Sequence, residues 1–263
     1  MKILAVETAT AWQSVAILEG ERVLARSDRD AEGSHARWLV PTVDRLLAST
    51  HLELARLDGL AVSIGPGSFT GLRVGLATML GFRAVTGLPL AVVPTLEGLV
   101  WNLRGTALPI CPILKSRTGE VYWALYRWSV EGTLRQLAEE RVGPPTLIGR
   151  DITEPTLVLG DGWPRYAVDI RQALADRASL LREGPAEAIR PSAVSIGLAG
   201  LERLSRGDVA GLGVAPRYVQ RAEAEIKYER RPAGSVTKNQ RVIQQGIGRK
   251  RTRRPIISIL RPS

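Results

Sequence analysis

The run Ser63-Ile64-Gly65-Pro66-Gly67-Ser68-Phe69-Thr70-Gly71-Leu72-Arg73 constrains this chain more than any other stretch. It continues an apolar segment, Leu60–Ile64, and leads into a span from Thr70 to Thr86 that is closed by Gly87, with Pro89 beyond it. That order reads as strand, glycine turn and helix, with a left-handed glycine as the helix stop. Glycines directly after a strand allow a tight turn and let the backbone approach another group closely. Amides at the start of the next helix are able to hold an anion. Two readings stay open: a turn that seats the helix on a sheet, and an anion or nucleotide contact made by Thr8, Thr10, Gly65, Gly67 and Ser68. The run is neither a Walker A loop, lacking Gly-Lys-Ser/Thr, nor a three-glycine dinucleotide fingerprint.

The predicted helix has two usable faces. Gly71, Gly75, Thr78, Met79 and Gly81 carry small or flexible side chains on one side, while Leu72, Leu76 and Leu80 form an apolar stripe. Such a helix is either buried entirely in its own chain or paired with a partner subunit.

Upstream, Ile3–Val6 reads as a short buried strand, and Ser14–Leu18 and Val23–Ser27 as a hairpin turning at Gly20. A helix follows, with Ser34 as its expected N-cap, Trp38, Leu39, Val43, Leu46 and Leu47 at helical spacing, and Pro41 as a kink. Leu90–Val93 is another strand. Aromatic residues make up only 5% of the chain, so the core is built from Leu, Val, Ile and Ala. Strand, hairpin, helix, strand, helix, strand predicts a mixed sheet flanked by helices, as ribonuclease-H-like and actin-like ATPase folds begin. The second half carries weaker signals: strands at Ile110–Leu114, Val121–Tyr126 and Thr156–Leu159, and a helix opened by Pro191-Ser192 and running through Leu204. The expected division is 1–104, 105–228 and a tail, 229–263.

The charge is unevenly placed. Residues 231–263 hold nine Lys or Arg and no acid, which leaves 27 basic against 26 acidic residues in positions 1–230. The tail reads as disordered, and either as an arm that attracts nucleic acid or as a solvated extension. The one cysteine, Cys111, excludes an internal disulfide, and the N-terminal apolar run is too short for a signal peptide, so a cytoplasmic location is expected. No stretch of 18 apolar residues exists.

Catalytic constellations are missing from the sequence. His35 and His51 are the only histidines, and neither has a second His or Cys at ligand spacing. There is no Gly-x-Ser-x-Gly elbow. Glu7-Thr8-Ala9-Thr10 ends the first strand, but Ala9 stands where a phosphate turn would carry glycine. No catalytic residue, metal or cofactor is predicted; an actin-like ATPase or transferase with its own nucleotide site is the alternative.

The chain resembles the TsaB (YeaZ) family of bacterial tRNA threonylcarbamoyladenosine biosynthesis. The resemblance rests on Ile3–Thr10 with Ser14-Val15-Ala16, on Ser34-His35 with Leu39-Val40-Pro41, on Gly65–Arg73, on Arg117–Tyr122 and on Pro216-Arg217-Tyr218-Val219. It implies an actin-like protein of two subdomains that pairs with the catalytic paralogue TsaD, joined by the ATPase TsaE, while TsaD transfers threonylcarbamoyl to adenosine 37 of tRNA. TsaD carries a metal-binding His-x-x-x-His whose positions here are Thr95 and Leu99, so the resemblance implies a subunit without that chemistry. It places the pairing surface on the helices 34–48 and 70–86, with His35, Trp38, Leu39, Leu46, Phe69, Arg73, Gly75 and Met79 as contacts, and allows a homodimer when the partner is missing. The sequence departs from the family at Lys115-Ser116, usually Asp-Ala, and at residues 229–263, which have no counterpart.

Overall fold

A computed structural model describes residues 1–219 apart from Glu32 and Leu212; the basic tail lies outside the described residues. The first sheet contains β1 (Lys2–Glu7), β2 (Trp12–Glu19), β3 (Arg22–Asp30), β4 (Gly59–Ser63) and β5 (Leu90–Val93), in the order β3-β2-β1-β4-β5. β1 pairs antiparallel with β2 and parallel with β4. It reads as a continuous apolar run because both of its faces are covered. Ile3 and Ala5 enter one core cluster, Leu4 and Val6 another. Gly20, at φ +56°, makes the β2–β3 turn.

Helices α1 (His35–Ser49) and α2 (Phe69–Thr86) cover the Leu4 and Val6 face. Ser68 caps α2, its Oγ accepting from the Gly71 amide at 3.2 Å. Gly87, at φ +74°, ends the helix, its amide donating to the Arg83 carbonyl at 2.8 Å. Ser34 stands at the N-cap position of α1 without capping it; its hydroxyl donates instead to the Ala31 carbonyl. The helix also runs through Pro41, which lies on its exposed side.

After α3 (Thr95–Val100) the chain builds a second sheet from β6 (Ile110–Lys115), β7 (Val121–Trp128), β8 (Leu134–Gly143), β9 (Thr156–Leu159) and β10 (Leu181–Glu183), with α4 (Gly162–Leu174) between the last two. Its order, β10-β9-β6-β7-β8, repeats that of the first sheet. Helix α5 (Ala193–Ser205) opens with a reciprocal cap between Ser192 and Ser195. It returns to the first sheet, where Gly197 lies against Leu18 and Ala5, and Gly200 against Ala61. The largest core cluster runs from the Ile3–Ala5 face through α3 and α5 to Ile110, Tyr126 and Trp128 of the second sheet. No described helix is long and apolar enough to cross a membrane.

Candidate functional site

The β1–β2 turn and the glycine run meet face to face. The Ser68 amide donates to the Ala9 carbonyl at 2.7 Å, and Thr8 Oγ1 donates to the Gly71 carbonyl at 2.9 Å. A Cβ on Gly67 would overlap the Ala9 carbonyl oxygen, one on Gly71 the Thr8 carbonyl oxygen, and one on Gly75 the Thr8 hydroxyl. These glycines let the first two turns of α2 lie directly on the end of β1. Two of the amides available to an anion are occupied by the chain itself, Ser68 by Ala9 and Gly71 by the Ser68 hydroxyl. Gly65, at φ +112°, exchanges two bonds with Thr95: its amide donates to Thr95 Oγ1 at 3.1 Å and its carbonyl accepts from the Thr95 amide at 2.8 Å.

Glu7 is fully buried at the end of β1, its Oε1 accepting from the Ala9 amide at 2.5 Å. Burial pushes the carboxyl up to about 7, against the two hydrogen bonds that favour its charged form. His35 fixes the opposite flank of the turn, with Nε2 donating to the Thr10 carbonyl at 3.0 Å. That bond sets the tautomer, and burial lowers the imidazole pKa, so the ring is a neutral pin between α1 and the turn.

Beside the turn a cleft of about 400 Å³ separates Thr10, Gly67 and Ser68 from Lys115, Ser116 and Asp161. It collects three of the five residues expected to contact an anion; Thr8 and Gly65 do not line it. The Lys115 ammonium lies 3.6 Å from the Asp161 carboxylate, whose other oxygen accepts from the Lys115 amide. The cation at position 115 is thus already balanced at the cleft wall.

The expected partner contacts divide into two groups. His35, Leu39, Leu46, Gly75 and Met79 are buried inside the chain. All five are therefore corrected as surface contacts: the small-residue face of α2 is used up by Thr8 and the sheet, His35 is turned inward to the Thr10 carbonyl, and Leu39 and Leu46 fill the core beneath α1. Phe69 and Arg73 are exposed, and Trp38 is half-buried between the guanidinium groups of Arg29 and Arg37, 4.1 and 4.7 Å from its ring centre. The outward face of α2 is Phe69, Arg73, Ala77, Gly81, Ala84 and Val85, the last 79% exposed. Arg37, Val40, Asp44 and Ala48 form the outward face of the neighbouring α1.

Tyr218 is the surface residue that sequence reasoning did not single out. Its ring lies 5.0 Å from that of Phe69, and its hydroxyl accepts from Arg73 Nε at 2.9 Å. The signal was the Pro216–Val219 motif, which carried no indication of where the chain returns.

Thr95 and Leu99, both fully buried, sit on successive turns of α3. The Thr95 hydroxyl is spent on Gly65, and Leu99 belongs to the main core cluster. Among the described residues no group of three His, Cys, Asp or Glu side chains converges to hold a metal ion.

Two five-stranded sheets of identical order, each with three antiparallel strands followed by two parallel ones, define an actin-like ATPase (ribonuclease-H-like) fold of two subdomains. Residues 28–150 match the family described as "TsaD: tRNA N6-adenosine threonylcarbamoyltransferase". The tRNA threonylcarbamoyladenosine biosynthesis protein TsaB of Escherichia coli is 30% identical over 172 residues, covering 63% of this chain and 74% of that protein. The Bacillus subtilis TsaB protein is 28% identical over 231 residues, covering 87% and 98%. YeaZ from Pseudomonas aeruginosa superposes with a TM-score of 0.65 at 25% identity, over 83% of this chain and all of that one. The chain belongs to the TsaB (YeaZ) family of tRNA threonylcarbamoyladenosine biosynthesis proteins.

Proposed function

We propose that this chain is a non-catalytic subunit that activates a TsaD-type transferase by pairing with it through the outward faces of α1 and α2. The observation that carries this reading is the fate of Thr95 and Leu99, which the resemblance aligns with TsaD's metal ligands: one hydroxyl closes the Gly65 turn and the other side chain fills the core. Neither a neutral threonine nor a leucine replaces imidazole as a strong ligand. What remains at the surface is a helix face of Ala77, Gly81, Ala84 and Val85, small enough for another helix to approach closely. In this reading TsaE joins the pair in the cytoplasm, tRNA reaches the complex through TsaD or through the basic tail, and the same face forms a homodimer when TsaD is missing.

The test is pairing in vitro with the TsaD-type protein of the same organism. Ala77→Glu combined with Val85→Glu is expected to weaken pairing by about 100-fold or more, as charges buried in an interface without partners do. Because both positions are exposed, the melting temperature of the isolated variant stays within about 2 °C of the parent. Unchanged pairing by this variant overturns the assignment of the face. The second reading, an ATPase with its own nucleotide site, is favoured only by the 400 Å³ cleft. ATP binding and turnover by the isolated chain would replace the first reading with it.

A further inference from the structure

The segment that follows α5 is fastened to both sheets. The Ala210 amide donates to the Leu90 carbonyl at 2.8 Å, and Arg83 on α2 donates to the Ala210 carbonyl at 2.7 Å. Farther on, the Arg217 amide donates to the Ile64 carbonyl at 2.6 Å, and a Cβ on Gly65 would overlap the Arg217 carbonyl oxygen. The Arg217 side chain reaches the second sheet, its Nε 3.2 Å from Glu140 on β8, whose side chain is 1% exposed. With its neighbour held at backbone and side chain, Tyr218 is delivered onto the first turn of α2.

There it completes a cluster that α2 does not make alone. The Arg73 guanidinium carbon lies 3.7 Å from the Phe69 ring centre, and the Tyr218 hydroxyl accepts a hydrogen bond from Arg73 Nε. The contact with the Phe69 ring and the Tyr218 bond together restrain the guanidinium. The two terminal amino groups of Arg73 have no partner among the described residues. Phe69 and Tyr218 remain 38% and 41% exposed around it. A guanidinium held in this way is prepared for bidentate contact with a planar oxyanion, because the rotamer entropy has been lost before binding.

We propose that Phe69, Arg73 and Tyr218 form an anchor that receives a carboxylate side chain of the pairing subunit, with Arg73 as the donor and Tyr218 as its positioning residue. The inference rests on the pairing reading above. A protein carboxylate is favoured over a nucleic-acid phosphate by what adjoins the anchor. Ala77, Gly81, Ala84 and Val85 continue the exposed face of α2 beyond Arg73, and none of the four carries a charge, which suits a helix rather than a polyanion.

The experiment measures the dissociation constant of the full chain with its TsaD-type partner for the wild type, Arg73→Gln, Arg73→Lys, Tyr218→Phe and the double variant Arg73→Gln with Tyr218→Phe. Arg73→Gln is expected to weaken pairing by about 30-fold and Arg73→Lys by about tenfold, since lysine keeps the charge but loses the fork. Tyr218→Phe keeps the ring and is expected to cost about fivefold, an effect that disappears in the Arg73→Gln background. Loss that persists in that background makes Tyr218 merely structural and overturns its role. Wild-type pairing with full affinity in every variant overturns the anchor while leaving the pairing reading intact; no pairing by the wild type overturns both. If Arg73→Gln pairs normally and instead lowers the salt slope of tRNA binding by about one, the anion is a phosphate and the proposal fails.

Discussion

Gly71→Ala is expected to destabilise the folded chain by about 3 kcal/mol, a drop in melting temperature of roughly 10 °C for a unit of this size. On helix propensity alone the change is favourable, because alanine stabilises a helix interior by about 1 kcal/mol over glycine. The contact across the turn decides the sign. The added methyl would overlap the Thr8 carbonyl oxygen, a backbone atom on the end of β1 that has no rotamer to change. Moving α2 away would also stretch the bond from Thr8 Oγ1 to the Gly71 carbonyl and that from the Ser68 amide to the Ala9 carbonyl. Each is worth about 1 kcal/mol net. Gly81→Ala is the matched control on the same helix, where an added Cβ meets nothing within 4 Å. It is expected to stabilise by about 0.5–1 kcal/mol. Chemical denaturation of the two variants against the parent checks both signs, and equal stabilities would remove the close approach from the account of this loop.

That pair of glycines also shows how far the sequence can be read. Leu60–Ile64 and Gly87 marked β4 and the stop of α2 because each is a local signal with a local cause, whereas Ser68 was not read as the cap that it forms. Which side of α2 faces inward had no such signal. Small residues four apart permit close approach equally within a chain and between chains, and the expectation for Gly75 and Met79 placed on the surface what Thr8 and β4 cover. In the second half, β8 reads Leu134-Arg135-Gln136-Leu137-Ala138-Glu139-Glu140-Arg141, charged because it is an edge strand with a solvated face, and it shows no apolar run. Helix α4 opens at Gly162-Trp163-Pro164 without a side-chain cap. With those two elements hidden, the repeat of the first sheet by the second was not recognisable residue by residue. The Tyr218 contacts span about 145 positions of sequence, a separation over which no periodicity reports.

Glu7→Gln is expected to stabilise the chain at pH 8 by up to about 3 kcal/mol while changing little near pH 4.5. The Glu7 side chain is fully buried, one oxygen is held by the Ala9 amide, and burial raises its pKa from 4.5 to about 7. A carboxyl with a raised folded-state pKa holds a proton between about 4.5 and 7 that the unfolded chain has released. Stability therefore falls as pH rises through that window, and above 7 the whole cost of the buried charge is present. Glutamine has nearly the same shape, keeps an oxygen for the Ala9 amide and cannot ionise. Glu140, also pushed up to about 7 by burial, tilts the pH dependence of parent and variant alike, so the difference between them isolates Glu7. Urea unfolding at pH 5 and pH 8 checks this, and a variant-to-parent difference independent of pH would mean that Glu7 stays ionised throughout. The same measurement bears on function. A carboxyl that titrates near neutrality is only partly charged there, which weakens what it offers a metal-bound phosphate at the end of β1. Pairing with the TsaD-type partner is accordingly expected to survive Glu7→Gln with unchanged affinity, because Glu7 contributes to holding the turn against α2 and nothing to the outward face of that helix.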